Sequence, residues 1–202
     1  MGRDLTAVRE PKQDRSRATR ERLLSSTIEL LARRGWDAST VSTVAAAAGV
    51  SRGAAQHHFP TREALITAAL EQVFEEMTQR IREVSQTLPD GPAHIHAVVE
   101  RAVDIYTGME FKAALQVWAA AASDSALRDL ILPLEGKFAR AAHRYTMVAL
   151  GVDPDDVQAH RLVQATLDLA RGLGLADTLS DDSARRAQVI DTWSRQLALA
   201  LA

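Results

Sequence analysis

The sequence contains no cysteine and no long uninterrupted run of apolar residues. The first absence excludes disulfides, thiol nucleophiles and thiolate metal sites, and it is compatible with a cytoplasmic protein. The second argues against a transmembrane helix, because Gln116 interrupts the longest Ala-rich stretch, from Ala113 to Ala122. The N-terminus lacks the apolar segment of a secretory signal. We therefore expect a cytoplasmic chain that does not associate with a membrane.

The patterns that usually accompany catalysis or cofactor binding are also missing. His94 and His96 are two residues apart, and side chains with that spacing on a helix diverge by about 200°. There is no Glu-x-x-His pair, no His-Glu-x-x-His sequence and no glycine-rich phosphate loop before a helix. The sequence thus predicts no catalytic residue, no metal site and no cofactor, and we do not expect an enzyme.

Charge is distributed unevenly along the chain. The whole chain has a net charge of −2, but residues 1–62 carry +5 and residues 63–202 carry −7. Phosphate affinity depends on where cations lie and not on the total charge. A polyanionic partner is therefore expected for the first third only.

Apolar periodicity predicts an all-α chain, because no segment alternates apolar and polar residues as a strand does. Residues 1–14 show no periodicity and are predicted to form a loose arm. Gly35, Gly49 and the segment Phe59-Pro60 are the predicted breaks in the first third. Helices are predicted at 14–34, from 40 to Gly49, 51–58, 61–88, 93–107, 111–122, 126–150, 155–179 and 183–201.

The two short helices separated by Gly49 have the pattern of a helix-turn-helix. Ala45 is small where the second helix must cross the first closely, and Val44 is apolar. Gly49 permits the positive φ of a tight turn, and Val50 fills the space beneath it. The pattern Ala-x-x-x-Gly-Val-Ser is common on its own, so the surrounding residues decide its meaning.

Those surrounding residues resemble the N-terminal domain of the tetracycline-repressor (TetR) family over about residues 15–65. The resemblance lies in Gly35-Trp36, Ser39-Thr40-Val41, Val44-Ala45, Ala48-Gly49-Val50-Ser51-Arg52-Gly53, His58-Phe59 and Arg62-Glu63-x-Leu65. It implies a three-helix DNA-binding domain at 15–62, in which the helix 51–58 enters the major groove. It also implies that residues 63–202 form a helical bundle for ligand binding and dimerisation.

Residue by residue, the resemblance implies contacts with DNA. Arg52 and Ala54 are expected to meet base edges, while Thr40, His58 and Arg62 are expected to meet phosphates. Ser42 is a weaker candidate. The complete predicted set is Arg17, Thr40, Ser42, Arg52, Ala54, Gln56, His57, His58 and Arg62. The chain departs from the family at Ala55-Gln56, where the family usually has Leu-Tyr, so the role of Gln56 and the operator sequence stay open.

Each of these residues also has a purely structural interpretation. Arg15, Arg17, Arg20 and Arg22 would then be a solvated face of the first helix. Thr40 would only cap its helix, and His57 and His58 would be a titratable pair without function.

The remaining two thirds of the chain are interpreted from patterns alone. Bulky and soft side chains between the middle helices would suit a largely apolar effector, although core packing also explains them. The predicted ligand-binding residues are Met77, Tyr106, Met109, Phe111, Gln116, Trp118, His143, Gln164 and Asp168. The last two could instead lie on a solvent face with an Asp168–Arg171 pair.

The last two helices are rich in small and apolar residues, which favours a four-helix interface between two subunits. Gly172 and Gly174 would let another helix approach closely. The predicted interface residues are Leu169, Gly172, Leu173, Trp193 and Leu197.

Together these features predict a homodimeric, ligand-responsive repressor that binds a palindromic operator in double-stranded DNA. An apolar effector would shift the helix that starts near Thr61 and so change the spacing of the two recognition helices. An activator, a ligand-independent regulator, and a helical ligand-binding or adaptor protein that has lost DNA binding remain alternatives.

Overall fold

The computed structural model describes residues 12–84 and 87–202, which form helices and connecting turns without a β-strand. The all-α fold class is thus confirmed. A short 3₁₀ turn, Gly91–Ala93, precedes the fifth helix. The helices are α1 Lys12–Ala38, α2 Val41–Ala47, α3 Arg52–His58, α4 Arg62–Val84, α5 His94–Ile105, α6 Met109–Ala121, α7 Ser125–Leu150, α8 Val157–Asp177 and α9 Ser183–Leu201.

The ends of the short N-terminal helices follow local signals in the sequence. Gly35 breaks α1 with a φ of 78°, and Gly49 ends the α2 turn with a φ of 63°. Both lie in the left-handed region that disfavours a side chain. Thr40 caps α2 and Ser51 caps α3 through their hydroxyl groups. The predicted breaks at Gly35 and Gly49 are confirmed.

Two predicted boundaries are wrong. Helix α1 already begins at Lys12, two residues before the predicted start at Asp14; residues 1–11 of the predicted arm lie outside the described residues. The fourth helix does not reach Leu88, because Thr87 is a bend and Leu88 is not helical. Pro89 explains this end, since a proline disfavours the helical conformation of the residue before it.

Small and apolar side chains hold α1, α2 and α3 together. Leu23 and Leu31 of α1 are buried, as are Val44 and Ala45 of α2. Ala45 has the small side chain that a close helix crossing requires, and the Val50 amide donates to the Ala45 carbonyl over 2.9 Å. The three helices therefore pack together as one unit.

This unit packs on the rest of the chain through α4 and α6. Helix α1 packs along α6 more extensively than any other two described helices pack together, and it also contacts α4. Ala113, Ala114 and Ala121 of α6 are buried, and their small side chains allow neighbouring helices to come close. In the remainder, α4 packs on α7, and α5 packs on α8 and α9. None of the helices in the described ranges is both long and apolar enough to cross a bilayer.

Candidate nucleic-acid interface

Helix α3 is fixed on one side and free on the other. Ala55 and Phe59 are buried with 1% and 5% of their surfaces exposed, and they seat the helix on the core. Successive helical residues are rotated by about 100°, so Gly53 and His57 lie opposite that buried side. Both are exposed, and the exposed Arg52 and Gln56 lie next to them along one side of the helix. The surface formed by Arg52, Gly53, Gln56 and His57 is called the outer face of α3 below.

Five of the nine predicted DNA-contacting residues lie on or beside this outer face. Arg52, Gln56 and His57 are exposed, whereas Ala54 and His58 are half-buried at its edge. The rings of His57 and His58 meet edge to face with centroids 5.8 Å apart. The structure thus brings five of the predicted residues together on one short helix, although their contacts with DNA remain a prediction.

Gly53 belongs to this face and was missed among the predicted contact residues. Its φ is not in the positive region, and a Cβ built on it would meet no heavy atom of the protein within 4 Å outside its own helix. Neither strain nor packing within the chain therefore requires a glycine there. The signal in the sequence was a glycine at the second position of a helix, which costs helix stability without a local reason.

Thr40 forms a complete capping box with Thr43. The Thr43 amide donates to Thr40 Oγ1 over 3.2 Å, and the Thr40 amide donates to Thr43 Oγ1 over 3.1 Å. The Thr43 hydroxyl also donates to the Ala38 carbonyl over 2.7 Å. These contacts satisfy the capping interpretation of Thr40, and a phosphate contact would have to share its groups. Ser42 is exposed beside the cap.

Arg62 has a different environment from the one predicted. Its guanidinium lies over the Trp36 ring with 4.0 Å from Cζ to the centroid. Its Nε donates to the Ser39 carbonyl over 3.0 Å, and its Nη2 donates to the Trp36 carbonyl. Arg62 therefore has a structural role, because its Nε and Nη2 bind carbonyls of the Trp36–Ser39 turn, and its contact with a phosphate remains a prediction. This contact ties the start of α4 to the residues that precede α2.

The α1 arginines divide into two groups. Arg17 is exposed, and its guanidinium lies 3.6 Å from Asp14 and 3.8 Å from Glu21, as in a solvated helix face. Arg20 lies over the Phe59 ring, 5.5 Å from its centroid, and Arg22 donates to the Ala48 carbonyl over 3.5 Å. The second pair therefore supports α2 and α3, and the DNA contact of Arg17 remains a prediction.

The predicted ligand-binding residues do not form one site. Met77 is a core residue with 1% exposure, whereas Met109 at the start of α6 is 40% exposed. Gln116 is exposed, and its Oε1 would lie 3.1 Å from a Cβ on Gly35. Gln116 therefore faces the helix-turn-helix and does not face a cavity. The reason is that α6 packs along α1, which the sequence pattern could not indicate.

Three further predicted ligand residues also lie elsewhere. The His143 ring stacks on His160 with a centroid distance of 5.0 Å, and its Nε2 lies 3.3 Å from the His160 carbonyl. Gln164 is exposed and donates to Asp168 over 3.1 Å, and Asp168 accepts from Arg171 over 2.8 Å. The solvent-face interpretation of Gln164 and Asp168 thus fits the structure better than a cavity does.

Tyr106, Phe111 and Trp118 do lie together, and Arg171 joins them. The Tyr106 ring meets Phe111 at 5.3 Å, and Phe111 meets Trp118 at 5.9 Å, both edge to face. Burial raises the pKa of Tyr106, while the charge of Arg171 partly opposes that shift. The Tyr106 hydroxyl is therefore kept neutral at ordinary pH. Among the described residues, no group of three or more acidic or histidine side chains is placed to hold a metal ion.

The predicted subunit-interface residues require two corrections. Leu173 and Leu197 have exposures of 4% and 0%, so they belong to the core of the single chain. Trp193 is half-buried, and its Nε1 donates to the Thr166 hydroxyl over 2.9 Å, which ties α9 to α8. Leu169 is half-buried, and Gly172 is exposed with no heavy atom within 4 Å of a built Cβ. Only these last two face outward from α8.

The comparison with known proteins agrees with this helix-turn-helix. Residues 23–69 match the model of the tetR family of bacterial regulatory proteins. The transcriptional regulator CymR of Pseudomonas putida is 31% identical over 125 residues, which are 62% of this chain and 62% of CymR. The chain thus matches about three fifths of the length of this relative.

Solved structures share the fold over nearly the whole chain. A transcriptional regulator from Rhodococcus sp. Rha1 has a TM-score of 0.69 and 22% identity, covering 90% of this chain and 95% of that one. The multidrug binding protein EbrR, solved with imidazole, has a TM-score of 0.62 and 21% identity, covering 91% and 94%.

The fold and the sequence match together indicate the kind of N-terminal domain that the chain carries. A three-helix unit with one exposed helix, packed on a larger helical bundle, has the architecture of a helix-turn-helix DNA-binding domain joined to a helical domain. Residues 23–69 are similar to the DNA-binding domain of the tetR family of bacterial regulatory proteins.

Proposed function

We propose that this chain is a cytoplasmic, ligand-responsive repressor that binds a palindromic operator as a homodimer. The observation that carries the proposal is the outer face of α3, which is exposed on the unit formed by α1, α2 and α3. That unit rests on the helical bundle through α4 and α6. A change in the bundle therefore has two physical connections to the recognition helix.

The outer face has the chemistry to read a major groove. Arg52 offers a guanidinium that matches the O6 and N7 acceptors of guanine, and the amide of Gln56 matches adenine. The exposed His57 adds a further polar group, and Gly53 lets the helix backbone come near the DNA. The excess of positive charge in residues 1–62 supports attraction to phosphates.

A strip along α8 supports the homodimer. Ala165, Leu169, Gly172 and Ala176 follow one another at spacings of four, three and four residues, so they share one side of the helix. All four are exposed or half-buried in the single chain. A second copy of the same strip, related by a twofold axis, would cover it and place two α3 helices for a palindrome.

The connection to a ligand runs through α6 as well as α4. Gln116 on α6 lies against Gly35, next to the Trp36–Ser39 turn that Arg62 holds. A ligand that moves α6 would therefore press on the helix-turn-helix directly. Such a ligand lowers DNA affinity only if it prefers the conformation that binds DNA poorly. The imidazole complex of EbrR supports a small-molecule effector by analogy.

The first experiment is a selection of bound sequences from a random duplex pool, followed by titration of the enriched duplex. We expect a palindrome to be enriched, and Arg52→Ala to weaken its binding by about tenfold or more through loss of a base contact. Arg195→Ala is the matched control, because Arg195 is an exposed arginine on α9 paired with Asp191 at 2.9 Å. The proposal would be contradicted if the Arg52→Ala and Arg195→Ala variants bound the enriched duplex equally well, or if no palindrome were enriched.

The homodimer is tested separately by sedimentation. Ala165→Glu places a charge on the exposed α8 strip and is expected to shift the protein toward the monomer. Ala126→Glu on α7 is the control, because Ala126 is also exposed but lies away from that strip. A dimer that is equally stable in both variants would show that α8 is not the interface.

A further inference from the structure

Among the described residues of the bundle, three buried polar atoms have no hydrogen-bond partner of normal geometry. They are Tyr106 Oη, Trp118 Nε1 and Arg171 Nε. Buried polar groups are nearly always paired, so each unpaired one calls for an explanation. These three come from the end of α5, from α6 and from α8, which are separate parts of the chain.

The three groups are neighbours in space. Arg171 Cζ lies 5.4 Å from the centre of the Tyr106 ring and 5.9 Å from that of Trp118. Tyr106 is 1% exposed and lies behind them. Trp118 and Arg171 line an open groove of about 360 Å³ between α6, α7 and α8. Two of the three residues with an unpaired atom, Trp118 and Arg171, thus line a space that a small molecule can enter, and Tyr106 packs against Arg171.

The chemistry of these atoms selects the ligand group. Indole Nε1 and guanidinium Nε are donors without acceptor capacity, and the tyrosine hydroxyl can donate as well. They therefore require an acceptor, and Arg171 favours a negatively charged one. The other charged groups at the groove are Arg128 and Glu135, while Asp168 already accepts from Arg171 Nη1. The charges of the two carboxylates and the two arginines cancel, so the net charge at the groove favours neither an anion nor a cation. The unpaired donors therefore decide which ligand group is preferred.

We propose that this groove binds a small carboxylate whose head group accepts hydrogen bonds from Trp118 Nε1 and Arg171 Nε, with the Tyr106 hydroxyl behind them. Ala121, Ile131 and Leu132 line the same groove and contact the apolar part of the molecule. This inference rests on the proposed function, because it names the effector class of a ligand-responsive regulator.

The location connects the ligand to the helix-turn-helix. Trp118 lies two residues after Gln116 on α6, and Gln116 lies against Gly35. A carboxylate that pulls Trp118 toward Arg171 therefore acts on the helix that packs along α1. The same group would also pair two unsatisfied donors, Trp118 Nε1 and Arg171 Nε, so binding is expected to raise the thermal stability of the protein.

The test uses the full chain and calorimetric titration without DNA. The probes are butyrate, hexanoate, octanoate and benzoate, each compared with its primary amide. We expect at least one carboxylate to bind about tenfold or more tightly than its amide, because charge-assisted hydrogen bonds are stronger. Equal affinity for each pair, or no binding of any carboxylate up to about 10 mM, would overturn the proposal.

Variants locate the site. Arg171→Gln is expected to remove the preference for the carboxylate over the amide. Trp118→Phe is expected to weaken the binding of the carboxylate and of the amide by about five- to tenfold. Arg161→Gln is the matched control, because Arg161 is an exposed arginine of the same helix. Binding that is unchanged in both site variants would overturn the assignment. The preference of the wild-type chain is independent of whether a variant folds.

Operator binding is then measured with and without the carboxylate. A carboxylate that binds at this groove but leaves operator affinity unchanged would contradict the ligand-responsive function and retain the site. Intact operator binding together with no carboxylate binding would contradict the site and retain the DNA-binding function.

Discussion

Replacing Gly53 by alanine should raise the stability of the protein while lowering its affinity for DNA. The two effects have opposite signs because they arise from different surroundings of the same methyl group. Within the chain, a Cβ at Gly53 meets no heavy atom within 4 Å, and its φ is not in the positive region. The added methyl group therefore causes no strain in the free protein.

The magnitude of the stability change follows from helix propensity. Alanine is better than glycine by about 0.5–1 kcal/mol in a helix interior. Gly53 is the second residue of the seven-residue α3, so we expect a gain near the lower end, about 0.5 kcal/mol. For a chain of 202 residues, that corresponds to an increase in Tm of about 1–2 °C.

The affinity change follows from the position of the residue. Gly53 lies opposite the buried side of α3, so its Cα faces whatever the outer face approaches. A methyl group in a closely packed protein–DNA contact displaces the helix, and we expect affinity for the selected duplex to fall by about tenfold or more. Calorimetry and a fluorescence-anisotropy titration at one fixed salt concentration measure the two effects.

Gly136→Ala supplies the matched control. Gly136 lies inside α7, and its built Cβ would meet only the flexible end of Arg140, at 3.2 Å. The Gly136→Ala variant should gain a similar amount of stability, and its affinity for DNA should be unchanged. The reasoning fails if Gly53→Ala binds the duplex as tightly as the wild type, because DNA then does not come close to this part of α3.

Three further predictions concern other contacts. Arg62→Lys should reduce the free energy of unfolding by about 1–3 kcal/mol in urea denaturation, because lysine cannot both stack on Trp36 and bind two carbonyls; an unchanged midpoint would contradict this. Gly174→Ala should cost about 3 kcal/mol or more, since its Cβ would lie 2.0 Å from the Tyr106 carbonyl oxygen, and a stable variant would be inconsistent with that packing. Tyrosinate absorbance should rise in two steps around pH 10.0, because hydrogen bonds from arginines lower the pKa of Tyr145 and burial raises that of Tyr106. The stability that depends on neutral Tyr106 is present below pH 10.0 and is lost as the pH rises through its raised pKa, so Tyr106→Phe should reduce this loss; a single step would refute the assignment.

Features that depend on neighbouring residues were predictable from the sequence. Thr40 and Ser51 lie just before runs that can form a helix, and Gly35 and Gly49 follow such runs, so local hydrogen bonding and backbone freedom determine those helix ends. The alternation of buried Ala55 and Phe59 with exposed residues on α3 likewise follows from helical period. These local rules also explain why the helix-turn-helix could be recognised.

Features that depend on which helices become neighbours were not predictable. The sequence indicates that Leu197 is apolar, but only the packing of α9 on α5 places it in the core and not at a subunit interface. Arg62 is a cation next to a DNA-binding motif, yet its neighbours are carbonyls of the preceding turn.

The groove between α6, α7 and α8 combines residues that could be selected from the sequence with one that could not. Tyr106 and Trp118 could be selected as bulky side chains with a polar atom, whereas Arg171 could be read only as the partner of Asp168. Tertiary packing brings the three together across 65 residues of sequence. Amino-acid order determines local conformation because the interactions involved span only a few residues. Tertiary structure decides which donors share one space, because that depends on how the helices pack.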